Sequence, residues 1–368
     1  MRAWQVHADA RRVLETLPDP QPAPGGVTVR MQAAPVLSYL RQVLDGKLRY
    51  ALPSAPFIPG TNGIGVIERV GSGVWHLQPN ARVIVDPRLV VDERVAVPAQ
   101  LLIGLTAMGS SRFGGIGDPG LALQRAWRDG TFAEIAHMPS SVVTPLPPAL
   151  DGMAAARLVA LSKFAVPFGG LLRGALQAGE TIIVNGATGY FGAAGVVLAL
   201  AMGAVRVIAA GRDRTALAAL VEAAGPRAVP VAMTGDVAAD AAALREAAGG
   251  VVDMALDIVG RAESAASTDA ALHALRRGGR LVLMGSVTQP LALSVGEMLA
   301  NDWHVMGCFM YPKDALARLA AMSAAGVLDL GKVNVRSFAL ADFEAALEAA
   351  TKMRGLDLTA LTMEGAVV

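Results

Sequence analysis

The chain has 368 residues, 53% of them apolar, and a net charge of +1. That is length enough for about two domains with a large core, and a charge too balanced to point to a nucleic-acid surface or a basic membrane patch. One cysteine, Cys308, excludes an intrachain disulfide and fits a cytoplasmic protein.

The N-terminal half reads as β-rich. Met1 to Val6 alternates like a strand and lacks the hydrophobic region of a signal peptide. A loop punctuated by Pro18, Pro20, Pro22, Pro24, Gly25 and Gly26 follows. Val27 to Ala33 alternates apolar and polar, as a half-buried strand does. Gly63 to Gly71 and Ala81 to Pro87 are two further strands, the second stopped by its proline. Gly109 to Gly130 is glycine-bearing and irregular and carries Arg112, Arg125 and Arg128. A loop of that length is either functional or a surface excursion.

From about Asp151 strands alternate with helices, which predicts a parallel, doubly wound sheet. Its most informative part is Thr181 to Gly195. An apolar strand, Thr181-Ile182-Ile183-Val184-Asn185, enters the turn Gly186-Ala187-Thr188-Gly189-Tyr190-Phe191-Gly192, which opens an apolar helix. This is the local pattern of a dinucleotide pyrophosphate site. Gly189 is expected to let the backbone approach the phosphates, and Gly192 to let helix and strand pack closely. The first glycine of the usual G-x-G-x-x-G pattern is replaced by Ala187, with Gly186 one place earlier. The stretch from Gly192 to Val205 is too short to cross a bilayer and reads as a buried helix.

A second strand, Val205 to Ala210, ends at Gly211-Arg212-Asp213-Arg214. An acid at this strand end would bind the 2′-hydroxyl of NAD, whereas an arginine accommodates the 2′-phosphate of NADP. Arg212 comes first, so NADP(H) is favoured, with Arg214 beside it and Asp213 free to cap the next helix. Further strands are predicted at Ala228 to Val231, Val251 to Asp257, Gly279 to Gly285 and His304 to Gly307. Helices are predicted at Ala238 to Ala248, Ala265 to Leu275, Asp314 to Ala324 and Asp342 to Lys352, with a strand near Val333 to Val335. The sixth strand, His304 to Phe309, would be an exposed apolar edge, and a homodimer is expected from it.

These parts together resemble the medium-chain dehydrogenase/reductase superfamily. The resemblance covers essentially the whole chain. It is carried by Pro59-Gly60-Thr61-Asn62-Gly63-Ile64-Gly65, Val70-Gly71-Ser72-Gly73-Val74, Gly130-Thr131-Phe132-Ala133-Glu134, the Gly186 to Gly192 turn, and Gly279 to Ser286. It implies an α/β protein: a doubly wound Rossmann domain over 151–312, plus a β-rich GroES-like catalytic domain over 1–150 completed by 313–368. Zinc members of the superfamily look like Cys-Gly-Thr-Asp followed by Gly-His-Glu. This chain has Leu37-Ser38-Tyr39-Leu40 and Gly60-Thr61-Asn62 there, and its histidines at 7, 76, 137, 273 and 304 lack metal spacing. No metal is expected.

The chain therefore resembles the zinc-independent quinone oxidoreductases and enoyl reductases. The implied reaction is hydride transfer from NADPH to a carbonyl-conjugated double bond or a quinone, bound between the domains. The enolate formed needs a proton, and its oxygen needs a donor. Tyr50 and Tyr39 are the candidate donors, with Thr61 and Asn62 lining the pocket or holding its loop. The family pattern puts Ile258, Val259, Gly285 and Ser286 near the nicotinamide ribose. Lys163, in Leu161-Ser162-Lys163-Phe164, departs from that pattern and would either approach the cofactor phosphates or pair with an acid. Cys308 reads as a small core residue. Two alternatives share the fold: a zinc-free carbonyl or alcohol oxidoreductase, and a non-catalytic dinucleotide-binding sensor or structural protein.

Overall fold

The structure, a computed structural model, describes residues 1–92, 94–95, 98–108, 117–260 and 262–363. The chain divides into two compact units. The first comprises Met1–Ser162, Val335–Met353 and Leu358–Val368, and the second Lys163–Asn334 and Arg354–Asp357.

In the first unit, β1 (Arg2–Val6) and β2 (Arg12–Thr16) form an antiparallel hairpin. The main sheet is built on β3 (Gly26–Val36), whose eleven residues are long enough to serve several partners. After the short helix α1 (Leu40–Leu44), β4 (Gly63–Val70) pairs along one edge of β3, and β5 (Arg82–Val85) pairs with β4. Three short strands, β6 (Arg88–Val90), β7 (Gln100–Leu102) and β8 (Thr106–Met108), make a separate small sheet. Helix α2 (Gly117–Ala126) precedes β9 (Ile135–Pro139), and β10 (Val143–Pro145) pairs with β5. Strand β9 takes Gly26 to Arg30 of β3, while the far C-terminal strand takes Ala33 to Val36. Two strands distant in sequence thus follow one another along successive parts of β3.

Helix α2 corrects one expectation, since Gly117–Ala126 of the supposedly irregular Gly109 to Gly130 region is helical. Gly117, Pro119 and Gly120 disguise its first turn. The rest of that loop at 109–116, with Arg112, lies outside the described residues.

Short helix α3 (Ala155–Leu158) leads into α4 (Leu161–Arg173). The stretch 155–173 has the length and apolar character of a membrane span, but 72% of its most apolar window is buried inside the molecule. That is the environment of a core helix.

The second unit then alternates as predicted. Its strands are β11 (Thr181–Asn185), β12 (Arg206–Gly211), β13 (Ala228–Ala232), β14 (Met254–Asp257), β15 (Arg280–Leu283) and β16 (His304–Gly307). Between them lie α5 (Tyr190–Ala201), α6 (Arg214–Ala224), α7 (Val237–Ala248), α8 (Ala266–His273) and α9 (Val295–Asn301). The strands are parallel in the order β13-β12-β11-β14-β15-β16. Chain order reverses direction between β11 and β14, which makes that crevice the switch point where such sheets bind ligands. Strand β11 is buried on both faces, and this is why it reads as an unbroken apolar run rather than an alternation.

Helix α10 (Ala315–Ala324) also lies in the second unit, whereas residues from 313 onward were expected to return to the first. The Lys332 ammonium donates to the Ala223 carbonyl on α6, and the Asn334 amide to the Leu356 carbonyl, so the chain stays with the second unit to 334. Strand β17 (Asn334–Ala339), α11 (Phe343–Thr351) and β18 (Asp357–Thr362) then return, β18 lying between β3 and β17.

Candidate functional site

The glycine turn follows β11 and is tied to β12, since the Gly186 and Ala187 amides both donate to the Ala210 carbonyl, at 3.0 and 2.9 Å. Gly186 has φ +85°, a conformation that favours glycine. A Cβ on Gly192 would lie 2.0 Å from the Gly186 carbonyl oxygen, so α5 can start against the turn only because Gly192 has no side chain. Gly189 precedes α5 with an ordinary φ of −75°. A Cβ there would lie 3.2 Å from the Gly186 carbonyl oxygen, so any special role for it rests on that close approach and not on strain. Tyr190 and Phe191, the first two residues of α5, meet edge to face with centroids 4.9 Å apart.

The end of β12 lies against this turn. A Cβ on Gly211 would meet Thr188 Cγ2 at 3.2 Å, and Arg212 and Arg214 beyond it are exposed. Asp213 caps α6 by accepting the Ala216 amide at 3.0 Å, which leaves both arginines to face solvent. On the other side of the switch point, Ile258 donates its amide to the Asn185 carbonyl. The Gly285 amide donates to the Asp257 carbonyl and the Ser286 amide to the Val259 carbonyl. All the candidate cofactor residues therefore gather at the C-terminal ends of β11, β12, β14 and β15.

A polar pair beneath them was not singled out from the sequence. Asn185 and Asp257 end adjacent parallel strands in register, and the Asn185 amide donates to the Asp257 carboxylate at 2.8 Å and to Ser267 Oγ at 3.2 Å. Burial pushes the Asp257 carboxyl up, against the opposing pull of hydrogen bonds from Thr268 and Asn185. The available signal was that two apolar strands, TIIVN and MALD, both end on a polar residue.

Lys163 is fully buried. Its ammonium donates to the Asp357 carbonyl at 3.2 Å and sits 3.3 Å from the centre of the Tyr190 ring. Desolvation holds its pKa well below the usual lysine range. Of the two roles considered for Lys163, pairing with an acid side chain is not what it does: its bond goes to the backbone carbonyl of Asp357. The Cys308 thiol is half-buried and pushed up by that burial, the setting of an inert cysteine.

The four candidate residues of the first unit fall into two pairs. Tyr39, at the start of α1, and Tyr50 have ring centroids 6.0 Å apart, and Tyr50 is 37% exposed. Thr61 and Asn62 are buried. The Asn62 amide donates to the Val85 carbonyl at 3.2 Å and its own carbonyl accepts from Thr131 Oγ1 at 2.9 Å, so Asn62 holds its loop to β5 and to the 131 segment. Thr61 Oγ1 is buried and has no hydrogen-bond partner among the described residues. Among those residues, too, no three His, Cys, Asp or Glu side chains gather in a way that could hold a metal ion.

Residues 23–148 match the alcohol dehydrogenase GroES-like domain, and residues 191–325 match the zinc-binding dehydrogenase domain. An alcohol dehydrogenase from Moraxella is 28% identical over 89% of each chain. An acryloyl-coenzyme A reductase from Metallosphaera sedula is 28% identical over 78% of each. A protein from Sinorhizobium meliloti 1021 described as a zinc-binding dehydrogenase, solved bound to NADP, superimposes with a TM-score of 0.75 at 20% identity, covering 98% of each chain. The parallel Rossmann-like sheet, the antiparallel GroES-like sheet and the two matched segments in this order make the chain a member of the medium-chain dehydrogenase/reductase superfamily. It is accordingly an oxidoreductase of the dinucleotide-dependent kind. Zinc, which two of these descriptions name, does not fit: the described residues offer it no ligand set.

Proposed function

We propose that the protein is a zinc-independent, NADPH-dependent reductase that delivers hydride to a carbonyl-conjugated double bond or a quinone. The observation that carries the reading is the pairing of two features in one place. A turn tight enough to bring α5 onto β11 lies beside a strand end whose first exposed side chain is Arg212 rather than an acid. The Tyr190, Phe191 and Gly192 amides at the start of α5 would face the pyrophosphate, and Arg212 and Arg214 the 2′-phosphate. Ile258, Val259, Gly285 and Ser286 would border the ribose. Reduced nicotinamide, when bound, supplies the hydride. The chain's own contribution is to hold the acceptor's oxygen and to return a proton. Tyr50 and Tyr39 suit both tasks, since a phenol donates a hydrogen bond to a developing oxyanion. Asn62 keeps the neighbouring loop in place.

The similarity to an alcohol dehydrogenase favours a second reading, reduction of a C=O group by the same cofactor. Product analysis by mass and carbonyl-carbon NMR separates the two. The exposed apolar side chains Val295 and Leu299 on α9, which precedes the edge strand β16, support a homodimer.

The test is calorimetric binding of NADPH and NADH to the wild type and to Arg212→Ala, followed by turnover with enones and quinones. NADPH should bind at least about tenfold more tightly than NADH, the range of one charge-assisted contact, and the substitution should remove the difference. Equal affinities in the wild type would overturn the NADPH assignment. Absence of binding to either cofactor would overturn the whole reading.

A further inference from the structure

Lys163 is an ionisable group that the chemistry above does not use. It is fully buried, yet among the described residues no carboxylate is bonded to it. When protonated, its Nζ carries three N–H donors. One goes to the Asp357 carbonyl, and the Tyr190 ring covers another direction. The titratable groups that face it are Tyr190 from α5 and Asp357 from the returning segment 354–357. The Asp357 carboxylate is committed elsewhere, to the Arg354 amide at 3.2 Å and the Asn334 side chain at 3.5 Å. Burial also pushes the Tyr190 phenol up, so Tyr190 presents a neutral ring at ordinary pH. The same returning segment reaches the glycine turn directly, because the Gly355 amide donates to the Thr188 carbonyl at 3.1 Å.

Three pieces of chain therefore meet on one lysine: α4, which carries it, the first residue of α5, and the segment 354–357. Tyr190 is also one of the residues whose amide opens the anion-binding end of α5. The Lys163 amine is thus held against a side chain of the turn that would receive the pyrophosphate. We propose that Lys163 is a positioning residue of the dinucleotide site, locking the first turn of α5 to the segment 354–357, and that a dinucleotide binds there together with one proton taken up on Lys163 Nζ.

The inference rests on the dinucleotide reading. Its physical basis is linkage. A buried amine with no acid partner disfavours its charged form. An anion arriving at the turn supplies the missing negative charge and favours the ammonium. The proton comes from the buffer, and no bond other than N–H is made. Because the bound state holds the proton more tightly than the free state, this contribution to affinity is complete at pH values below the free-state pKa. It is lost as pH rises through the bound-state pKa. The window opens below the ordinary lysine range, because the free-state value is depressed.

The experiment is titration calorimetry of the full chain with NADPH between about pH 7 and pH 10, each pH in two buffers of different ionisation enthalpy. The 2′-phosphate, with a pKa near 6, is already about nine-tenths ionised at pH 7 and adds no titration above about pH 8. The wild type should take up a fraction of a proton approaching one, and its affinity should fall about tenfold across the window. Lys163→Met should bind with no pH dependence and no proton uptake. Lys163→Arg, charged at every pH, should bind with no proton uptake and no pH dependence. Wild-type binding that is independent of pH and buffer would overturn the inference while leaving the cofactor reading intact, and this needs no variant. A proton uptake undiminished in Lys163→Met would equally overturn it. If NADPH does not bind the wild type at any pH, the cofactor reading fails and this inference falls with it.

Discussion

At the scale of single residues, the environment decides between roles that the residue types leave open. His137 shows this well away from the site. The Ala23 amide donates to its Nε2 at 3.1 Å, and its ring packs on Trp127 at 4.7 Å. A nitrogen that accepts cannot also carry a proton, so the ring is neutral and protonated on Nδ1. Desolvation lowers its pKa accordingly. A depressed folded-state value means the contribution to stability is present above the ordinary value of 6.5 and is lost as pH falls through the folded-state value. The wild type should therefore lose melting temperature on acidification below about pH 6.5, and His137→Gln, whose amide oxygen can accept without titrating, should lose less. Equal slopes for the two proteins would refute this assignment. Lys163 makes the same point: its type was visible in the sequence, but its partners come from segments far apart in the chain.

At the scale of elements, the ends of β11 and β14 matter more than their middles. Asn185 is the buried donor that Asp257 leans on, and truncating it leaves a buried carboxyl with a bond unmade. Asn185→Ala should destabilise the fold by about 1–3 kcal/mol, read from urea unfolding; a change within experimental error would mean that Thr268 and the Val259 amide suffice for the carboxyl. The strands of the second unit were legible because burial on both faces turns them into apolar runs separated by helices of a different period. The first unit was harder to read. Strand β9 includes His137 and ends on Pro139, and β18 is buried over four consecutive residues without alternation. Helix α2 begins in glycine and proline. The glycine turn could be read because a close approach of backbone to backbone demands glycine, and Gly192 is that demand. The Asn185–Asp257 bond and the Lys163 contacts could not, because side-chain partners across a fold leave no spacing in the chain.

For the whole molecule, the proposed dimer can be tested without reference to chemistry. Val295 is 84% and Leu299 77% exposed on α9, and β16 ends its sheet. Two apolar side chains so exposed on one short helix are costly unless covered. Light scattering at micromolar concentration should give twice the chain mass, and Val295→Asp with Leu299→Asp should shift it toward the monomer. A monomeric wild type would sink the proposal.

The partition of β3 between β9 and β18 sets an order for the nascent chain. Residues 357–362 complete a sheet whose founding strand is made at 26–36, and residues 163–334 emerge between them. A ribosome therefore releases nearly all of the second unit before the first can close. Until then the Ala33 to Val36 edge stays unpaired on a growing polypeptide, the exposed state in which strands find wrong partners.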